Sequence, residues 1–189
     1  MKNLSASLCA FALIAAAGSV ANAQELLTNG GFETGNLTGW TLTGSTTGFG
    51  FGGRFWFQNP AQGAFQGYFG TDGPGTIISQ SVAANPGDQL TVSFWFLSSV
   101  MNQEPLNNHF IATFDGATLV NMVNSGYIGY TRYSFNVTAT TVNPTLSFNL
   151  RNATEFHMLD GVSVVAVPSP GAAAALGLAG VAGLRRRRR

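Results

Sequence analysis

Gln89-Leu90-Thr91-Val92-Ser93-Phe94-Trp95-Phe96-Leu97 is the segment on which the fold turns. Leu90, Val92, Phe94 and Phe96 alternate with Thr91 and Ser93, the period of a strand with one face in a core. Trp95 falls on the other face. The same alternation returns at Tyr133, Phe135 and Val137, and again at Leu146, Phe148 and Leu150. Turn sequences separate these runs: Asn29-Gly30-Gly31, Thr71-Asp72-Gly73-Pro74-Gly75, Asn85-Pro86-Gly87-Asp88, Asp115-Gly116 and Asn124-Ser125-Gly126. No segment between Gln24 and Val165 keeps a helical period over ten residues. Short half-buried strands at regular spacing predict an all-β fold, an antiparallel β-sandwich. The glycine- and aromatic-rich region 44–67 reads as loops with short strands.

Composition narrows the function. The 189 residues include 24 glycines, 12% aromatics and only 9% charged side chains. Between the ends there is no lysine; Arg54, Arg132 and Arg151 face eight acids, a charge of −5. Such a domain lacks the basic footprint that phosphate contacts require, so nucleic acid is excluded as a partner. The single cysteine, Cys9, lies in the N-terminal leader described below. Disulfides, thiolate catalysis and cysteine-held zinc are therefore not expected of the mature chain.

Both ends read as processing segments. Residues 1–23 combine Lys2, the apolar run Leu8 to Ala17 and the cleavage pattern Ala21-Asn22-Ala23, the order of a signal peptide. Residues 24–166 form the predicted domain. Residues 167–189 hold Val167-Pro168-Ser169-Pro170, then Gly171 to Leu184 with only Ala, Gly, Leu and Val, then Arg185 to Arg189. As a helix, that apolar stretch covers about 21 Å, short of a hydrocarbon core of about 30 Å. This tripartite tail resembles the PEP-CTERM sorting signals of Gram-negative bacteria, with serine at position 169 where the family usually has glutamate. The resemblance implies export through the Sec pathway, transient inner-membrane anchoring by the short hydrophobic helix, and cleavage by an exosortase near Pro168 and Pro170. Arg185 and the arginines after it would mark the cytoplasmic side. Delivery to the cell envelope, outer surface or extracellular matrix follows.

The domain carries a second resemblance. Leu27-Thr28-Asn29-Gly30-Gly31-Phe32-Glu33, Gly39-Trp40, Ile78-Ser79-Gln80-Ser81-Val82 and the closing Phe156-His157-Met158-Leu159-Asp160-Gly161-Val162-Ser163-Val164 frame it. These stretches resemble galactose-binding-like jelly rolls, including carbohydrate-binding modules of the family 4, 9 and 22 type. In the closing strand Asp160 shares parity with Phe156, Met158, Val162 and Val164, which predicts a carboxylate on an apolar face. A lone carboxylate there is costly unless it is paired or binds a metal. A structural calcium ion, held by Glu33 and Asp160 with carbonyls or Asn29, would resolve that cost. The resemblance also implies calcium between the first and last strands. The other solution is a bulge at Gly161 that lets Asp160 cap backbone amides near the surface.

Catalysis has little support in the sequence. His157 has outward parity, the position of a solvated strand residue. Asp72 and Asp115 lie in turns, and no nucleophile elbow, phosphate loop or H-E-x-x-H motif occurs. Glu33 and Asp160 as a glycosidase pair is the weaker reading of residues that serve a structural site. A non-enzyme is expected. Sugar stacking needs exposed aromatic faces beside polar groups, for which Trp95, Trp56 and Tyr68 are the candidates and Tyr127 and Tyr130 lie in similar contexts. Trp40 reads as core. The expected role is a structural or adhesive surface protein, with specific polysaccharide binding as the alternative.

Overall fold

The computed structural model describes residues 24–55, 57–100 and 106–167. The predicted signal peptide, the tail residues Pro168, Pro170 and Arg185, and Trp56 lie outside the described residues. Ten strands follow one another: β1 (Thr41–Gly44), β2 (Phe49–Gly52), β3 (Gln66–Phe69), β4 (Thr76–Ser81) and β5 (Gln89–Ser98). Then come β6 (Asn108–Phe114), β7 (Ala117–Val123), β8 (Ile128–Thr138), β9 (Thr145–Asn152) and β10 (His157–Ala166). They pair antiparallel in two five-stranded sheets, β1-β4-β9-β6-β7 and β2-β3-β10-β5-β8. The expected all-β sandwich is the observed fold. Each alternating run became a strand, with β5 and β9 extended past the predicted ends and β8 extended at both.

The core lies between the sheets. Phe94 of β5 packs edge-on against Phe148 of β9, with ring centroids 5.1 Å apart. Phe96 stacks on Phe110 of β6 at 3.9 Å. Trp40 is buried against Phe32 and Phe148, as its sequence context predicts. Each large side chain buried this way stabilises the fold by about 1.5–3 kcal/mol. With no disulfide expected, this packing holds the domain.

The N-terminal stretch runs beside β10. Leu26 N donates to Val164 O at 2.8 Å, and Val162 N donates to Gly30 O at 3.0 Å. A Cβ on Gly30 would lie 1.8 Å from Val162 O, so only glycine allows this approach.

The parity reading of the last strand fails at its middle. Pairing with β5 shifts register between Asp160 and Ser163, and Gly161 takes φ +53°. This bulge reverses which residues face inward. Before it Leu159 enters the core; after it Val162 and Val164 do. Met158 and Asp160 instead sit on the outer face, opposite Leu97 and Trp95 of β5. The expected shared face for Asp160, Val162 and Val164 is thus corrected by one extra residue.

The same shift overturns the solvated reading of His157. Its side chain is fully buried, with its ring 5.1 Å from that of Phe96. Burial lowers its pKa to about 3, so it is neutral in the fold.

Candidate functional site

The outer face of the β2-β3-β10-β5-β8 sheet positions the site. In register across β10, β5 and β8 lie Asp160, Trp95 and Arg132. Next to them lie Met158, Leu97 and Tyr68 of β3. Residues 53–55 and 57–65, between β2 and β3, fold over this face. A glycine-rich chain can do so because Gly63 takes φ +61°.

Three sets of contacts fix that segment. Phe55 stacks on Tyr68 at 3.8 Å and meets Phe156 edge-on at 4.8 Å. Gln66 Nε2 donates to the carbonyls of Gly53 and Gln58, at 2.8 and 3.0 Å. The Tyr130 hydroxyl donates to Gln66 Oε1. The third set consists of carboxylates. Gln62 N donates to Asp160 Oδ2 at 2.8 Å, and Gly161 N to Asp160 Oδ1 at 2.6 Å. Ala64 N and Phe65 N donate to Glu33 Oε1, at 3.0 and 3.2 Å.

Asp160 is fully buried. Burial pushes its carboxyl up to about 6, against the pull of the Gln62, Gly161 and Ala61 amides, and the Glu33 charge adds to the rise. Burial, aided by Asp160, also raises the Tyr130 phenol and keeps it protonated. The bulge at Gly161 and the capping of amides by Asp160 are observed, but the carboxylate is buried and not near the surface.

The sequence-predicted residues divide sharply. Glu33 and Asp160 do come together, at opposite ends of the short segment 61–65, with Gly31 between them: a Cβ there would lie 3.7 Å from Glu33 Oε1 and 4.0 Å from Asp160 Oδ1. Asn29 does not join them. Its side-chain amide donates to the carbonyls of Asn36 and Thr38, and its oxygen accepts from Thr34 N. Among the described residues no group of three or more His, Cys, Asp or Glu is arranged to hold a metal. Both carboxylates accept loop amides, and a calcium shell between them would be completed by carbonyls and not by Asn29.

Tyr68 is covered by Phe55 and does not present a stacking face. Trp95 lies on the outer face as its parity predicts, half-buried beside Gly161. Tyr127 is exposed. His109 pairs its Nε2 with Asn149 Oδ1 at 2.8 Å. Asp115, at φ +51°, accepts from the hydroxyls and amides of Thr140 and Thr141, a turn role as predicted.

Beside Trp95 opens a cavity of about 450 Å³. Glu25, Asn29, Gln62, Ser93, Arg132 and Ser163 supply its polar lining, with Gly30, Gly31 and Gly161 leaving the space. Glu25 Oε1 accepts from the amides of Leu26, Leu27 and Val164, and Oε2 accepts from the Ser163 hydroxyl. Arg132 Nη2 donates to Ser93 Oγ at 3.4 Å. Sequence reasoning missed Arg132, Gln62 and Glu25 as lining residues. Arg132 was within reach, because its parity in the 131–137 run places it outward and arginine is scarce here.

No protein-family model matches the chain, and no curated protein matches it. Solved structures do. The enzymatically active domain of tailspike protein 4 from bacteriophage CBA120 superposes with a TM-score of 0.58 at 14% identity. The match covers 76% of this chain and 21% of the tailspike chain, so this chain spans about a fifth of that protein. The module TmCBM61, solved in complex with β-1,4-galactotriose, gives 0.56 at 18% identity, covering 76% of this chain and 99% of the module. The K3 cleaved adhesin domain of Lys-gingipain from Porphyromonas gingivalis gives 0.53 at 15% identity, covering 76% and 98%. At these identities the likeness is one of fold: a jelly-roll sandwich of the kind carbohydrate-binding modules use.

Proposed function

We propose that this domain is a non-catalytic glycan-binding module, exported and sorted to the cell surface or matrix. The observation that carries it is the cavity of about 450 Å³ beside Trp95, within the usual range of small-molecule sites. A ring of hydrogen-bonding groups suits the polar rim of a pyranose, and Trp95 adjoins the lining residues Gly161 and Arg132 without itself lining the cavity. Jelly-roll modules with glycan ligands among the fold neighbours support the same reading. Glu33 and Asp160 hold a loop backbone, which supports assigning them to structure and not to glycoside hydrolysis. Export and exosortase-type sorting rest on the sequence resemblance of the two ends.

A structural or adhesive role is the second reading. The observation favouring it is the loop 53–65, which covers Tyr68 and narrows the aromatic surface open to a long glycan. A glycan array with the purified protein separates the two. Saturable binding to one glycan class, lost in Trp95→Ala, supports the module. Binding to nothing supports the structural role, and turnover of any glycan contradicts both. Running the array in calcium and in chelator reads whether a cation joins Glu33 and Asp160.

A further inference from the structure

We infer that the ligand of this cavity carries a carboxylate: a hexuronate residue recognised by Arg132. The inference rests on the glycan-binding reading and follows from which hydrogen-bonding groups the fold leaves over. Each acid around the cavity is already engaged. Both oxygens of Glu25 accept hydrogen bonds, from three backbone amides and the Ser163 hydroxyl. Both oxygens of Asp160 accept backbone amides, and Glu33 accepts those of Ala64 and Phe65. The Asn29 amide is taken up by its own turn.

The donors are not engaged in the same way. Arg132 is exposed, and its one hydrogen bond goes to Ser93 Oγ at the long distance of 3.4 Å. Guanidinium has five N–H donors in a fork that matches a carboxylate bidentately. Gln62 is exposed, and among the described residues neither the nitrogen nor the oxygen of its side-chain amide makes a hydrogen bond. The Trp95 edge lies at Gly161, whose Cβ position is 3.0 Å from Trp95 Cδ1. The lining acid has its acceptor oxygens filled while Arg132 has donors to spare, which suits a ligand that brings a charged acceptor. A neutral sugar hydroxyl offers donor and acceptor alike; a uronate offers a charged acceptor. The charge of −5 over the domain opposes a polyanion, as does Glu25 in the same lining; only the charges beyond a Debye length of about 8 Å are screened. Contact at Arg132 is not.

The test compares oligogalacturonates and oligomannuronates of three residues with their methyl esters, which keep the ring and remove the charge. Calorimetry on the purified protein should find one acid bound at least tenfold more tightly than its ester. Arg132→Gln should abolish that preference and flatten the salt dependence, while Arg132→Lys retains part of it. Gln62→Ala should weaken acid binding severalfold without abolishing the preference. Circular dichroism confirms that each variant is folded. Equal binding of acid and ester overturns the inference and leaves glycan binding standing. A preference that survives Arg132→Gln also overturns it, because the charge is then read elsewhere. If acids, esters and neutral galactotriose all fail to bind, the glycan reading falls with it.

Discussion

On its inner face β5 presents Leu90, Val92, Phe94 and Phe96, all buried against apolar partners from the other sheet. On its outer face the same strand presents Ser93 and Trp95, lying beside Asp160 and Arg132. One face is held by contact area, which is non-directional and tolerant of detail. The other is held by directed bonds from four named amides to two carboxylates, and it leaves a cavity. The comparison teaches that stability and recognition in this domain occupy opposite sides of a single sheet. Disturbing the inner side should unfold the protein; disturbing the outer side should alter loop, pH response and ligand.

The largest effect belongs to the inner face. Phe148→Ala removes a fully buried ring that touches Phe94, Phe110 and Trp40. Denaturant unfolding should show a loss of about 3–5 kcal/mol. A loss below that of the outer-face variants would break the division between the faces.

Next is the loop clamp. Asp160→Ala takes the acceptor from the Gln62 and Gly161 amides, each loss costing about 1–3 kcal/mol. Proteolysis of residues 53–65 should accelerate in this variant while the core strands stay protected. Uniform protection would show that Phe55, Gln66 and Glu33 hold the loop without Asp160.

A pH series sharpens the contrast. The folded Asp160 carboxyl, raised to about 6, holds its proton more tightly than in the unfolded chain, where it sits near 3.8. Its contribution is therefore full below 3.8 and is lost as pH rises through 6. Melting temperature should fall over this window, and Asp160→Asn should flatten the fall. Calcium bound between Glu33 and Asp160 would give the opposite slope, because it needs both carboxylates ionised; an unchanged slope in chelator tells the two apart.

The smallest effect is at the β6–β7 turn. Hydrogen bonds from Thr140 and Thr141 hold Asp115 down to about 2. Its contribution is present above 3.8 and lost as pH falls toward 2, the reverse of Asp160. Asp115→Asn should remove a modest acid-side destabilisation in the same melting series and leave the pH 4 to 6 window unchanged.

How much of this was legible in the sequence also follows the two faces. Period-two alternation in β5, β8 and β9 is a direct consequence of burying one face, so the sandwich and its core could be read without coordinates. The last strand could not, because Gly161 inserts one residue and inverts the parity on which Asp160, Met158 and His157 were placed. A glycine in a strand signals such a bulge, but not which way its neighbours turn. Glu33 and Asp160 were legible as a pair from the opening and closing motifs. Their partners, the amides of residues 61–65, were not, since a backbone amide carries no residue identity. The cavity was hidden for a related reason: Glu25, Gln62, Arg132 and Ser163 come from four separate segments, and only the folded chain gathers them.

Trp95 is where both readings of the outer face converge, and its indole N–H can be observed directly. Two-dimensional ¹H–¹⁵N spectra of the protein, with Trp95→Phe used to assign its indole signal, would be recorded during titration with the best glycan from the array. A site beside Trp95 predicts saturable shifts of that indole and of the Gln62, Gly161 and Arg132 amides, while the Phe148 amide in the core stays fixed. Shifts confined to residues around Tyr127, or none at saturating glycan, would contradict a ligand site in this cavity.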